Sequence, residues 1–185
     1  LSESFPPLAK LNEGALKDPR VTIVNDDAMI WMESVTEQFD LVLIDFPDPN
    51  SFSLGKLYTT RFYRLLAQRV TPDARICIQC TSPFLSRKAY WCVIRTMEAA
   101  GFHVRPFHAA VPSFGDWGFA LASLSEFDTP LKLSGELTGR LRFLNDEMLS
   151  SLFNLPTDLA PVDVEINRLD NQALVRYYES DVGAG

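Results

Sequence analysis

Short apolar runs alternate with amphipathic stretches along the first two thirds of the chain. Six segments carry this pattern: predicted strands at residues 21–25, 40–44 and 75–79, and predicted helices at about residues 27–34, 59–69 and 86–100. Strands that alternate with helices of about ten to fifteen residues are typical of βαβ units. The pattern therefore predicts an α/β fold built on a mostly parallel sheet.

Two further strands are predicted at residues 102–107 and 118–123, with no helix between them. Such a pair forms a hairpin, so the sheet should end in an antiparallel pair. After residue 125 the pattern changes to polar, Leu-rich turns with one short helix near residues 146–153. We expect residues 1–125 to form the main α/β domain and residues 126–185 to form a C-terminal extension packed on it.

Composition narrows the class of protein. Hydrophobic residues make up 46% of the 185 residues and charged residues 22%, values that are ordinary for a globular domain. The formal net charge of -7, without any basic run, argues against a nucleic-acid partner and suits a cationic ligand. No apolar run approaches the roughly 20 residues of a membrane helix, and the first residues lack a signal-peptide pattern. We therefore expect a cytoplasmic location.

The cysteines predict neither a disulfide framework nor a metal site. Three cysteines cannot all pair, which suggests a reducing compartment. Cys77 and Cys80 have the C-x-x-C spacing, but they lie at a strand end, where their side chains should point to opposite faces. With only two histidines in the chain, a zinc site is poorly supplied, and no bound metal is expected.

The strongest candidate chemistry lies where the strand at residues 40–44 ends. Two carboxylates, Asp45 and Asp48, follow that apolar strand and flank a proline turn. Open α/β sheets bind ligands at the carboxyl ends of their strands, and Asp27 and Gln79 follow two other predicted strands at the same edge. Each has a plainer reading: Asp27 as a helix N-cap, Asp48 as a turn former and Gln79 as a polar strand end.

Four segments together resemble the polyamine aminopropyltransferases, the spermidine synthase family. They are residues 18–28, residues 45–49 with 57–63, residues 76–79 and residues 111–119. The resemblance implies an incomplete Rossmann-like fold, of the class I S-adenosylmethionine-dependent methyltransferase type. It also implies aminopropyl transfer from decarboxylated S-adenosylmethionine to putrescine or a similar diamine, giving spermidine and methylthioadenosine. The nucleoside sulfonium is then a co-substrate, and no tightly bound cofactor is expected.

The resemblance also assigns roles to the candidate residues. Asp45 would be the catalytic carboxylate, while Asp48 and Gln79 would hold the diamine. Asp27 would accept a hydrogen bond from the adenine amino group, with the Ala28 N–H nearby. Phe114 stands where many members have a tyrosine, so one hydroxyl contact to the substrate would be lost.

One large departure from the family concerns the start of the nucleotide fold. No Gly-rich loop of the G-G-G-x-G type precedes the matching segments, so the first two strands of the sheet should be absent. The strands at residues 21–25 and 40–44 would then either pair directly or take another chain between them. We expect an N-terminally truncated catalytic domain with little activity alone. Residues 167–178 are similar to the ending of longer bacterial members that carry membrane helices upstream, and homo-oligomers are common in the family.

Two other functions stay open at this stage. An S-adenosylmethionine-dependent methyltransferase shares the fold, and fold does not fix function. The Asp-Phe-Pro-Asp-Pro segment differs, however, from the Asn-Pro-Pro-aromatic motif of amino-group methyltransferases. A non-catalytic ligand-binding or interaction domain, such as the cytoplasmic part of a membrane protein, would explain the missing nucleotide loop but not the carboxylate pair.

Overall fold

A computed structural model describes residues 5–137 and 139–182 of the chain. Its strands are β1 (Phe39–Ile44), β2 (Val70–Gln79), β3 (His103–Val111) and β4 (Gly115–Ser123). Its α-helices are α1 (Pro6–Leu11), α2 (Ala28–Ser34), α3 (Phe52–Gly55), α4 (Thr60–Ala67), α5 (Arg87–Ala99), α6 (Asp146–Leu152) and α7 (Ala173–Val182). Short 3₁₀ turns lie at Ala15–Lys17, Lys56–Tyr58 and Thr157–Leu159. None of the helices in these two ranges is long and apolar enough to cross a membrane.

The strands form one sheet in the order β1-β2-β4-β3. The pair β1 and β2 is parallel, whereas β4 runs antiparallel to both β2 and β3. Three strands thus point in one direction and β4 points against them. This arrangement confirms the predicted α/β class and the antiparallel last pair, because the β3–β4 hairpin lies at one edge of the sheet.

The two faces of the sheet differ in burial. Ile76 and Ile78 of β2 are fully buried in a core shared with α2, α4 and α5. The alternate residues of β1 point the other way, and Leu41 and Leu43 are 63% and 73% exposed. Helices therefore cover one face of the sheet, and the other face is largely open among the described residues.

The predicted strand at residues 21–25 is wrong. These residues contain no strand in the structure, and Val21, Ile23 and Val24 are exposed. A strand needs a neighbour for its backbone hydrogen bonds, and this segment pairs with none of the four strands. Of the two pairings expected for this segment, the direct one with residues 40–44 is therefore absent, although α2 does begin just after the segment.

The segment after β4 packs on both faces of the sheet: Phe153, just after α6, contacts Phe107 of β3, while α7 packs on the helical side. Helix α7 lies against α5, and its residues Ala173 and Leu174 are fully buried. The Trp91 indole N–H of α5 donates to the Leu159 carbonyl at 3.0 Å. Residues 126–182 thus share a core with the sheet domain. The division of the chain at residue 125 stays a prediction.

Candidate active site

A cavity of about 660 Å³ opens at the carboxyl ends of β1 and β2. Asp45, Asp48 and Gln79 lie on its wall, as the strand-end pattern predicted. Its remaining wall is mainly apolar and comes from β1, β2 and the β3–β4 hairpin: Leu43, Ile44, Phe46, Pro47, Cys77, Val111, Phe114, Trp117 and Phe119. A polar end beside an apolar wall is typical of a small-molecule site.

A buried tyrosine, Tyr58, holds the loop after β1 by hydrogen bonds to its backbone. The Tyr58 hydroxyl donates to the carbonyls of Phe46 and Pro47, at 3.2 and 3.1 Å. The Phe46 ring packs edge-on against the rings of Tyr58 and Phe62. Burial raises the pKa of Tyr58 far above its ordinary value, so its hydroxyl stays a donor at neutral pH. The backbone that carries Asp45 and Asp48 is therefore held by packing as well as by the proline turn.

Both oxygens of the Asp48 carboxylate accept hydrogen bonds. The Gln79 side-chain amide donates to Oδ1 at 3.2 Å, and the Tyr178 hydroxyl of α7 donates to Oδ2 at 2.9 Å. Gln79 is itself oriented, because the Thr81 N–H donates to its Oε1 at 2.8 Å. Burial, together with the hydrogen bond to Asp48, raises the pKa of Tyr178 to about 12. The tyrosine is thus a neutral donor to a half-buried carboxylate.

Asp45 has a different environment from Asp48. It lies immediately beyond the last residue of β1, its side chain is exposed, and it faces the same cavity. It makes no hydrogen bond or ion pair with residues 5–137 or 139–182. Its acceptor capacity is therefore available to a ligand. A free carboxylate beside an oriented one can bind a cationic amine at one end of an apolar cavity.

Asp27 and Ala28 do not line the cavity with the other candidates. Asp27 Oδ1 accepts from the Met29 N–H at 2.9 Å, which makes it the N-cap of α2, and Oδ2 forms an ion pair with Lys56. The hydrogen bond from Lys56 and then that from Met29 lower the pKa of Asp27 below its ordinary value. Ala28 is the first residue of α2 and is half-buried. The N-cap reading of Asp27 is therefore correct, whatever else the residue does.

Two residues of this site were not found from the sequence. Tyr178 lies 130 positions away from Asp48 in a segment read as a packing extension. Trp117 belongs to the family segment 111–119 without an assigned role, yet it lines the cavity and its ring packs against Phe114. The C-x-x-C pair behaves as expected, since Cys77 lines the cavity while Cys80 is buried in the core. Within the described ranges, no group of three or more His, Cys, Asp or Glu side chains could hold a metal ion.

The fold and the strand-end site together define a Rossmann-like, methyltransferase-type domain. The crystal structure of a spermidine synthase in complex with the transition state analogue AdoDATO matches it with a TM-score of 0.68, at 21% identity, over 96% of this chain and 56% of that one. A spermidine synthase from Thermotoga maritima gives a TM-score of 0.67, at 19% identity, over 96% and 55% of the two chains. At these identities the likeness establishes the fold.

Sequence comparison gives the family. Residues 4–132 match the model of the spermine/spermidine synthase domain, so the chain belongs to that family. A polyamine aminopropyltransferase of Leptospira interrogans is 49% identical over 174 residues, which is 94% of this chain and 34% of the relative. Polyamine aminopropyltransferase 2 of Ralstonia nicotianae is 45% identical over 176 residues, again 94% and 34% of the two chains. The chain thus spans about a third of the length of these curated relatives.

Proposed function

We propose that this chain carries the amine-acceptor side of an aminopropyltransferase site. The reaction transfers the aminopropyl group of decarboxylated S-adenosylmethionine to putrescine or a similar diamine. The observation that carries the proposal is the pair of carboxylates at the cavity edge, of which Asp48 is hydrogen-bonded within the protein and Asp45 is free to meet a ligand. Family membership and the names of the relatives support the same chemistry.

In the proposed mechanism, the amine nitrogen attacks the aminopropyl carbon next to the sulfonium. The new C–N bond forms as the C–S bond breaks, and the sulfur keeps the electron pair, so methylthioadenosine leaves as a neutral thioether. The attacking nitrogen must first hold a lone pair. A carboxylate with a pKa near 4 is a weak base toward an ammonium with a pKa near 10, so Asp45 alone does not deprotonate the free diamine.

Removal of the diamine from water reduces the difference in pKa between its ammonium group and the carboxylate. The apolar wall, which includes Trp117 and Phe119, disfavours the charged ammonium and lowers its pKa. The amine then binds with its first proton released to solvent, and Asp45 orients it and receives a second proton as the C–N bond forms and positive charge develops on nitrogen. Asp48 and Gln79 hold the amine beside it. The same proposal assigns adenine binding to Asp27 and Ala28. The Asp27 carboxylate must then interact with the ligand as well as with Lys56.

An assay with two donors tests the function. The chain and the complete polypeptide encoded by its gene each receive decarboxylated S-adenosylmethionine and putrescine, and methylthioadenosine and spermidine are detected by mass spectrometry. Ordinary S-adenosylmethionine serves as the control donor. We expect product from the complete polypeptide with the decarboxylated donor. The same spectra are searched for S-adenosylhomocysteine, the product that methyl transfer leaves: its formation only with the ordinary donor would favour a methyltransferase, and no product with either donor would favour a binding domain.

Substitution of Asp45 tests its assigned role. Asp45→Asn should lower turnover by roughly a hundredfold or more, because it removes the proton acceptor. Asp40→Asn is the matched control: Asp40 lies at the other end of β1, where, among the described residues, its carboxylate accepts only from the Thr71 hydroxyl, at 2.9 Å. Both variants should keep the circular dichroism spectrum of the parent. An unchanged rate for Asp45→Asn would remove Asp45 from the mechanism.

Three further properties are proposed on the resemblance alone: a cytoplasmic site of action, a homo-oligomer and an upstream membrane region. Sedimentation of the complete polypeptide and its partition between membrane and soluble fractions would test them. A monomer found only in the soluble fraction would contradict the last two.

A further inference from the structure

We propose that Tyr178 of α7 is a positioning residue for the amine acceptor, acting through Asp48. The inference rests on the proposed function and names a residue to which the family resemblance assigns no role. Its basis is the 2.9 Å hydrogen bond from the Tyr178 hydroxyl to Asp48 Oδ2, opposite the bond from Gln79 to Oδ1. A carboxylate held by donors on both oxygens has little freedom to rotate.

The position of Tyr178 is set by a buried network at the start of α7. Asn167 is fully buried, and its side-chain amide donates to the carbonyls of Gly55 and Tyr58, at 3.1 and 3.2 Å. Its Oδ1 accepts from the Leu174 N–H at 3.2 Å. One side chain therefore joins the first turn of α7 to the loop that follows the two carboxylates.

Packing leaves α7 no room to move closer to that loop. A Cβ atom on Gly55 would lie 2.5 Å from a methyl group of Val175 and 2.9 Å from the Gln172 side-chain oxygen. Ala173 and Leu174 are fully buried beside α5. The helix thus approaches the loop at a fixed distance, and Tyr178, one turn after Leu174, reaches the cavity edge from a rigid support.

The two carboxylates have different roles in this proposal: Asp48 binds the amine in a fixed orientation, and Asp45 accepts its proton. Each oxygen of Asp48 keeps further lone-pair capacity for a ligand after it accepts one internal hydrogen bond. A carboxylate whose direction is already set loses less freedom when it binds an ammonium group. Asp45, which has no internal partner among the described residues, keeps the freedom that a proton acceptor needs. Tyr178 should therefore affect binding of the diamine more than the chemical step.

The kinetic test uses the complete polypeptide and two neighbouring tyrosines. Tyr178→Phe removes the hydroxyl and keeps the ring, and should raise the KM for putrescine roughly tenfold while kcat changes less than about threefold. Tyr177→Phe is the matched control, because within the described part of the chain the Tyr177 hydroxyl accepts only from the Glu165 N–H, at 3.1 Å and away from the cavity. Equal KM values for the two variants would overturn the proposal.

A double-mutant cycle separates positioning from general damage to the fold. In an Asp48→Asn background, Tyr178→Phe should change the KM by less than about twofold, because the group through which it acts is already altered. A full additional tenfold loss would mean that Tyr178 acts by another route. It would overturn the assignment to Asp48.

A measurement without substrate keeps this inference distinct from the proposed function. The side-chain amide of Gln79, assigned by its loss in Gln79→Met, should shift in the ¹H–¹⁵N NMR spectrum of Tyr178→Phe and not in that of Tyr177→Phe. An unmoved amide signal would overturn the positioning role even if the enzyme is active. If the parent forms no product but the Gln79 amide signal still shifts in Tyr178→Phe, the proposed function is wrong, whereas the positioning of Asp48 by Tyr178 is supported.

Discussion

Replacing Asn167 by alanine should destabilise the whole chain, because this side chain makes three buried hydrogen bonds. Its side-chain NH2 group donates to the carbonyls of Gly55 and Tyr58, and its side-chain oxygen accepts from the N–H of Leu174. Each such bond contributes about 1 kcal/mol net, and its loss leaves a backbone group without that partner. We therefore expect Asn167→Ala to lower the free energy of unfolding by about 3 kcal/mol.

For a chain of this length, about 3 kcal/mol corresponds to a fall in Tm of roughly 6–12 °C. Thermal and urea unfolding followed by circular dichroism would measure it. The matched control is Asn154→Ala, since Asn154 is exposed and its replacement should change the free energy of unfolding by less than about 0.5 kcal/mol. A loss below about 1 kcal/mol for Asn167→Ala would refute the reasoning, because it would mean that water replaces the lost partners.

Three further changes test other parts of the structure. Lys56 holds the pKa of Asp27 below its ordinary value of 3.8, so the pair stabilises the fold above that pH, and this contribution is lost as the pH falls through the lowered pKa. Lys56→Met should therefore raise the Asp27 pKa measured by carboxyl ¹³C NMR, and an unchanged pKa would contradict the pairing. Gly118→Ala should cost about 2 kcal/mol or more in urea unfolding, since its Cβ would lie 2.5 Å from the Tyr90 ring and 2.6 Å from the Thr81 carbonyl; a neutral effect would contradict this packing. Burial raises the pKa of the Cys80 and Cys92 thiols, so a disulfide reagent at pH 8 should label these two slowly until the chain unfolds, whereas Cys77, which lines the cavity, should react first; rapid labelling of Cys80 and Cys92 in the folded chain would contradict their burial.

Much of the fold was predictable because its elements have strong local signals. The apolar run of β1, the amphipathic pattern of α5 and the helix-free connection between β3 and β4 each predicted the element that the structure contains. The failure at residues 21–25 has a different origin. An apolar pattern indicates which residues can form a strand, but hydrogen bonds from a neighbouring strand decide whether one forms.

The candidate site was predictable only where its residues follow a strand. Asp45 and Gln79 come directly at the ends of β1 and β2, and parallel neighbours bring such ends together. Tyr178 carries no comparable signal, because its contact with Asp48 depends on how α7 packs against α5. Its neighbour Tyr177 has the same side chain and makes no contact with the cavity. Pattern alone could not choose between the two.

The hydrogen bonds between α7 and the loop after β1 affect when the site can form during synthesis of the chain. Asp48 leaves the ribosome 130 residues before Tyr178, so the sheet edge is synthesised long before the helix that completes it. During that interval the Asp48 carboxylate can bond to Gln79 but not to Tyr178, and the carbonyls of Gly55 and Tyr58 lack Asn167. Nascent chains that stop before residue 167 should therefore fold loosely around β1. The finished site becomes available only when translation has passed α7.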